Sequence, residues 1–548
     1  MEKTIIYQIF TRLYGNRNET RKPGGSIAEN GCGKLNDFTP AVLKQIKGMG
    51  VSHVWYTGII RHATMTDYSQ YGIPRQHPAV VKGRAGSPYA ITDYYDVDPD
   101  LAVDVNQRMA EFEQLVERTH KAGMKVVIDF VPNHVARQYK SICKPRGVKD
   151  LGGDDNPDLG FDPQNNFYYC PGQRFTPYFD LYHGETEPYI EEPAKATGND
   201  CFHNAPGQND WYETVKLNYG IDYYAGRTGH FDPIPDTWKK MTDILLFWAA
   251  KGIDGFRCDM AEMVPAEFWG FATKLVKEKY PELVFIGEVY NPQEYRRYIA
   301  NGFDYLYDKV GMYDTMFQII RGQQSTQAIT GMWQQTDDIR QHMLYFLENH
   351  DELRIASDFF AANGRKAVPA LVVNALMQQN PFMLYAGQEY GERGMDCEGF
   401  SGHDGRTTIF DYWSIDTLCR AAKKKLTPDE QQLAGIYKKV LNIARKEKAV
   451  AEGLCFDLMY VNQHCHRQYI FLRATKTARL LVVANFDDAD VSVDVNVPAH
   501  AFEYLSMHEK AYSATDLLSG AETTLNLCSD RPVTVEVPSR SAVVYKLK

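Results

Sequence analysis

The 548 residues carry 60 basic and 70 acidic side chains, a formal net charge of -10, with 44% hydrophobic and 13% aromatic residues. Such a chain can bury a large core and is long enough for more than one domain, and its acidic balance argues against nucleic acid or an acidic membrane surface as partner. The ten cysteines show no paired or metal-type spacing, so reduced thiols are expected rather than a disulfide framework.

No basic segment followed by an apolar stretch opens the sequence, and no apolar run is long enough to cross a bilayer. A cytoplasmic protein is the expectation. The first predicted strand is Ile5 to Phe10, followed by a polar loop and by a helix that Thr39-Pro40 starts. His53 to Ile60 reads as the second strand, and a long loop through Gly86 to Tyr95 follows it. Helix Glu111 to Ala122 feeds a third strand, Val126 to His134. The alternation of strand and helix then stops for about a hundred residues rich in Gly, Asn, Asp, Pro and Tyr. Within them, Phe167-Tyr168-Tyr169 offers rings for stacking on sugars.

Alternation resumes with helix Thr237 to Lys251 and a short run, Ile253 to Asp259, that is too short to be a helix. Side chains alternate along a strand, so Arg257 and Asp259 share one face. A guanidinium there holds the Asp259 carboxylate ionised by proximity. Val284 to Tyr290 delivers Glu288 among apolar neighbours with no adjacent cation in sequence, and Met343 to Asp351 closes on Asn349, His350 and Asp351. Phe303 to Lys309 and Pro381 to Glu392 complete eight strands. Apolar strands that end in acids and histidines describe a parallel barrel whose reactive groups collect at its C-terminal rim.

A further long loop, Arg393 to Lys425, contains Asp404 to Trp413, and Thr427-Pro428-Asp429-Glu430 is a capping box opening the last barrel helix. From about Ala451 the hydrophobic period changes to two, as in Val491, Val493, Val495 and Val497, which predicts a β-sandwich.

The four motifs VVIDFVPNH, GIDGFRCD, VFIGEVY and LYFLENHD stand in an order that resembles the α-amylase family, family 13 of the glycoside hydrolases. The resemblance implies a (β/α)8 TIM barrel in two parts, 1–134 and 235–450, with an inserted B domain at 135–234 and a C-terminal antiparallel β-sandwich domain at 451–548. It implies Asp259 as nucleophile, Glu288 as acid and base, and Asp351 as the third carboxylate, in retaining hydrolysis of an α-glucan oligosaccharide or polysaccharide. Tyr89, His134, Arg257 and His350 match sugar-binding positions of the family. Asn133 matches a ligand of a structural calcium, although an Asn there can equally hydrogen-bond its own turn; no organic cofactor is implied. Lys216-Leu217-Asn218 is closer to the neopullulanase version of a fifth motif, and Glu262-Met263 replaces the Lys-His pair that many relatives place on the acceptor side. Two other readings stay open: a 4-α-glucanotransferase using the same residues, and a catalytically silent sugar-binding homologue.

Overall fold

The computed structural model describes residues 2–397 and 402–548, so four residues of the loop 393–425 lie outside the described residues. Eight strands close a barrel: β1 (Ile5–Phe10), β2 (His53–Thr57), β3 (Lys125–Phe130), β4 (Gly255–Cys258), β5 (Val284–Gly287), β6 (Tyr305–Tyr307), β7 (Met343–Phe346) and β8 (Phe382–Tyr385). Neighbours in sequence are neighbours in the barrel and every pair is parallel, β8 closing on β1.

Alternation along the strands separates two apolar sets. Ile6, Trp55, Val127, Ile286, Leu344 and Met383 fill the barrel interior, while Ile5, Val54, Val126, Phe256, Phe285 and Leu384 face the helices outside. Those helices bring matching stripes, such as Phe112, Leu115 and Val116 on Arg108–Lys121 and Trp238, Met241, Leu245 and Trp248 on Asp236–Ala249. Two residues on from Ile6, Trp55 and Val127 the inward side chains turn polar: Gln8, Thr57 and Asp129 are buried, as is Arg257 on β4. Arg257 is in register with Asp129 on β3 and with Ile286 on β5.

The observed strands are shorter than the apolar runs suggest. Gly58, at φ +84°, turns the chain after Thr57, and Ile60–His62 pairs instead with Ile91–Val97, a strand within what reads as loop. Val131-Pro132 ends β3, since a proline cannot donate to the ladder. His134 therefore lies not on a barrel strand but on His134–Ala136, which pairs antiparallel with Thr214–Lys216 in the inserted region. That region holds two more short antiparallel pairs. Its rings Phe167, Tyr168 and Tyr169 are buried, with Tyr168 and Tyr169 hydroxyls donating to Ile221 O and Asp155 Oδ2. They are core, not the sugar-stacking surface expected from their loop setting.

Thr427 caps Pro428–Lys446 as expected, accepting from Glu430 N. Beyond it, six antiparallel strands form one sheet and Val491–Val495 pairs with Val533–Val537, with Val493, Val495, Val535 and Val537 buried. The buried Arg473 guanidinium ties this domain to the barrel by donating to the carbonyls of Met377, Ala449 and Val450. Among the described residues no helix is long and apolar enough to cross a membrane.

Candidate active site

Asp259 and Glu288 are each the first residue past a barrel strand, held there by backbone bonds from Asp259 N to Phe130 O and from Glu288 N to Cys258 O. Between them lies Arg257, fully buried, whose Nη1 donates to Asp259 Oδ1 at 2.7 Å and whose Nη2 donates to Glu288 Oε2 at 2.7 Å. Asp129 Oδ1 is 3.6 Å from Nη1, and the rings of Trp55, Tyr89 and Tyr307 lie against the guanidinium. Glu288 also accepts from the Met260 N–H at 2.8 Å and from the Tyr290 hydroxyl at 2.5 Å. Met260 directs its N–H there by adopting φ +45°, a left-handed backbone that a non-glycine side chain rarely takes.

Glu288 has no adjacent cation in sequence, yet the fold brings one to it. Sequence adjacency hid the contact, because Arg257 reaches Glu288 from the neighbouring strand. Asp259 is pulled both ways: burial pushes its carboxyl well above the usual carboxylate range, Arg257 pulls it down, and the charges of Glu288 and Asp351 add to the rise. Carboxylates gathered around one guanidinium release their protons as a group, so the upward push belongs to the set rather than to Asp259 alone.

Asp351 stands five residues past the end of β7, with about a third of its side chain open to the cleft (32%). Burial works to raise its carboxyl, but the His350 imidazole at 3.0 Å, with Arg257 and Arg406 farther off, holds it below the ordinary value. His350 is fixed from both sides: Gln8 Nε2 lies 2.7 Å from Nδ1, and the Tyr89 hydroxyl lies 2.5 Å from Nε2. A Gln8 amide that donates to Nδ1 puts the ring proton on Nε2, toward Asp351. His134 is buried with Asn133 Nδ2 3.1 Å from its Nδ1; burial first, then the charges of Lys216 and Lys82, push its pKa down to about 3, so the ring is neutral.

Tyr89, His134, Asp259, Glu288 and Asp351 line one cleft of about 550 Å³. Arg257 and His350 lie beneath its floor. A second hollow of about 410 Å³, bounded by Phe179, Tyr212 and Asp411, shares Lys82, Gln208 and Phe410 with it.

The family model for the α-amylase catalytic domain matches residues 8–448, and that for the α-amylase C-terminal all-β domain matches residues 460–548. The chain belongs to the α-amylase family of glycoside hydrolases. It is 25% identical over 403 residues to α-amylase MalA of Haloarcula japonica, covering 72% of this chain and 45% of the relative. It is 24% identical over 481 residues to α-amylase 3 of Dictyoglomus thermophilum, covering 82% and 79%. Among solved structures, the maltogenic α-amylase AmyB of Thermotoga neapolitana shares the fold at a TM-score of 0.65 and 19% identity, over 99% of this chain and 98% of that one.

In this α-amylase-family cleft several wall residues escaped the sequence reading. Trp211, 5.3 Å from the His134 ring, and Lys82, ion-paired with Glu213 at 3.1 Å, come from irregular segments with no periodic signal. Asp129 did carry one: it follows Val127 at strand spacing, a polar residue on an inward face. Glu262 is not a free acceptor-side group, because its Oε2 accepts from the backbone N–H of Tyr290 at 2.7 Å and of Asn291 at 2.9 Å.

Asn133 lies outside the cleft. Its Oδ1 accepts from Lys216 Nζ at 2.7 Å, and the same ammonium is 2.6 Å from Asp200 Oδ1. These residues do not fit a divalent cation as they stand, since an ammonium already takes the two side-chain oxygens that would bind it.

Proposed function

We propose that this chain is a retaining α-glucan hydrolase that cleaves α-1,4-glucosidic bonds in maltooligosaccharides, starch or cyclodextrins through a covalent intermediate on Asp259. The observation that carries the reading is the Arg257 fork, with Asp259 on one nitrogen and Glu288 on the other. Two carboxyl groups gripped by one guanidinium suit the spacing of roughly 5–5.5 Å used in retention rather than the roughly 6.5–9.5 Å that leaves room for a water in inversion.

Two carboxyl groups with one proton between them are the inventory the reaction needs. With a glucan bound, Glu288 gives the proton to the leaving glycosidic oxygen while Asp259 attacks the anomeric carbon. Oδ1 of Asp259 is engaged by Arg257, so Oδ2 is the attacking atom. Asp351 and the neutral His134 bind hydroxyls of the distorted ring, and His350 holds Asp351 in place. Glu288, now ionised, takes a proton from water, whose oxygen replaces Asp259 on the same face from which the leaving group departed. The sugar thus keeps its configuration.

Transfer to a second sugar is the companion reading, favoured by Met260 and Tyr290 in the wall beside Glu288. Apolar surfaces there hold a sugar face better than they hold water, and both acceptors compete for one intermediate. Maltoheptaose digestion followed by proton NMR tests the mechanism: the first reducing ends formed should be α, and β ends would remove the covalent step. Chromatography of the same digest, beside β-cyclodextrin and pullulan, reads chain-length and linkage preference.

A further inference from the structure

Away from the cleft, one buried cation joins the inserted region to the barrel. Lys216 is 2% exposed, on the strand that pairs with His134–Ala136. Its Nζ meets Asn133 Oδ1 from the turn after β3 at 2.7 Å and Asp200 Oδ1 from the inserted region at 2.6 Å, and it lies 5.5 Å from the Tyr223 ring. Arg227 holds the other Asp200 oxygen at 3.3 Å. Asn133 Nδ2 donates to Gly198 O at 2.8 Å, which orients its Oδ1 toward the ammonium. Three segments distant in sequence therefore converge on one positive charge.

A hard cation such as calcium would bind the same oxygens at roughly 2.3–2.6 Å and would have to expel the ammonium. Expulsion would leave a buried lysine without a counter-charge, which is strongly unfavourable. We propose that the Lys216 ammonium is the built-in structural cation of this junction, taking the place of a divalent metal and making the seating of the inserted region on the barrel independent of calcium. The same charge faces His134, so the junction also bears on one wall of the cleft.

Thermal melting of the full chain in excess chelator and in millimolar calcium, with elemental analysis of the purified protein, tests this. The wild type should melt at one temperature in both and carry no stoichiometric divalent metal. Lys216→Met keeps most of the apolar stem and removes the charge, leaving Asp200 with Arg227 alone. It should melt at least about 5 °C lower. Lys216→Asp places a third side-chain oxygen donor at the junction, and its melting temperature should be low in chelator and rise in calcium. The proposal is overturned if the wild type loses stability in chelator or holds one divalent ion per chain. It is equally overturned if Lys216→Met melts with the wild type or if a folded Lys216→Asp ignores calcium. Should that last variant not fold, the wild-type and methionine arms decide.

Discussion

Arg257 and Glu288 are joined by a 2.7 Å hydrogen bond from Nη2 to Oε2, while the other end of the same guanidinium grips Asp259. One planar fork therefore sets the spacing and tilt of both carboxyl groups. Lysine offers a point charge that can serve one of them at a time. Arg257→Lys is expected to lower kcat by about 10³-fold and to cost about 3–5 kcal/mol of stability through the buried carboxylates it leaves poorly paired. Steady-state kinetics on maltoheptaose and denaturant unfolding read the two effects, and turnover within tenfold of wild type would show that the fork is dispensable.

Asp259→Asn and Glu288→Gln should each lower turnover by at least about 10⁴-fold, since each removes a step that binding cannot supply. Their stabilities are expected to be informative as well. Asp259 in the folded chain titrates well above its unfolded value of about 3.9. A group raised in this way contributes stability that is fully present below the unfolded pKa and is lost as pH rises through the folded one. Asparagine does not ionise, so Asp259→Asn should melt at or above wild type at pH 7, with the gap closing toward pH 4. A variant that melts well below wild type at pH 7 would contradict the burial argument.

The barrel, and the gathering of Asp259, Glu288 and Asp351 in one cleft, were legible in the sequence because the runs that carry them end in a charged or hydrogen-bonding residue, as Phe285-Ile286 does at Glu288. Where hydrogen bonding stops was harder to read: hydrophobic period continues through Ile59 and Val131, although Gly58 and Pro132 break the ladders. The cation beside Glu288 was hidden because it is 31 residues away in sequence. Lys216 and Asp200 were equally hidden, their pairing fixed by an irregular segment that has no period at all. Phe167 to Tyr169 show the converse error, rings in a loop that turn out to be the core of the inserted region.

His134 offers a pH test. Its folded pKa, pushed down to about 3, lies below the unfolded value of about 6.5. The fold prefers the neutral ring, so stability is lost as pH falls below the unfolded value and goes on falling toward the folded one. Glutamine at this position cannot take up that proton. Melting curves of wild type and His134→Gln should converge or cross between about pH 6.5 and 4, the variant gaining relative to wild type; a constant difference across that window would mean the ring is not held neutral.

Trp211 presents an indole to the cleft beside His134. Its ring pairs with His134, and it makes no hydrogen bond to Asp259, Glu288 or Asp351, so its contribution should be to sugar binding. Trp211→Ala is expected to raise KM for maltoheptaose by roughly tenfold with kcat changed less than threefold, the size expected for losing one aromatic contact of about 1 kcal/mol or more. A loss confined to kcat would place Trp211 in the chemistry instead.

The balance of hydrolysis and transfer should turn on Tyr290 rather than on Glu262. Glu262 spends its Oε2 on the backbone of Tyr290 and Asn291, so it fixes the loop and meets no acceptor through that atom. Tyr290 does two separable things: its hydroxyl donates to Glu288 Oε1 at 2.5 Å, and its ring lines the cleft with Met260. Tyr290→Phe keeps the wall and loses the donor, so hydrolysis and transfer should fall together, by roughly tenfold, with their ratio unchanged. Tyr290→Ala opens the wall to water, and the share of transfer should fall at least threefold, as expected for losing about 1 kcal/mol of contact with a sugar face. Glu262→Ala frees the loop and should depress both reactions as the phenylalanine variant does. Chromatography of products longer and shorter than maltoheptaose, at high substrate concentration, reads the ratio directly. An alanine variant with the wild-type ratio would move the acceptor contacts away from Tyr290, to the Lys82 and Phe410 side of the cleft.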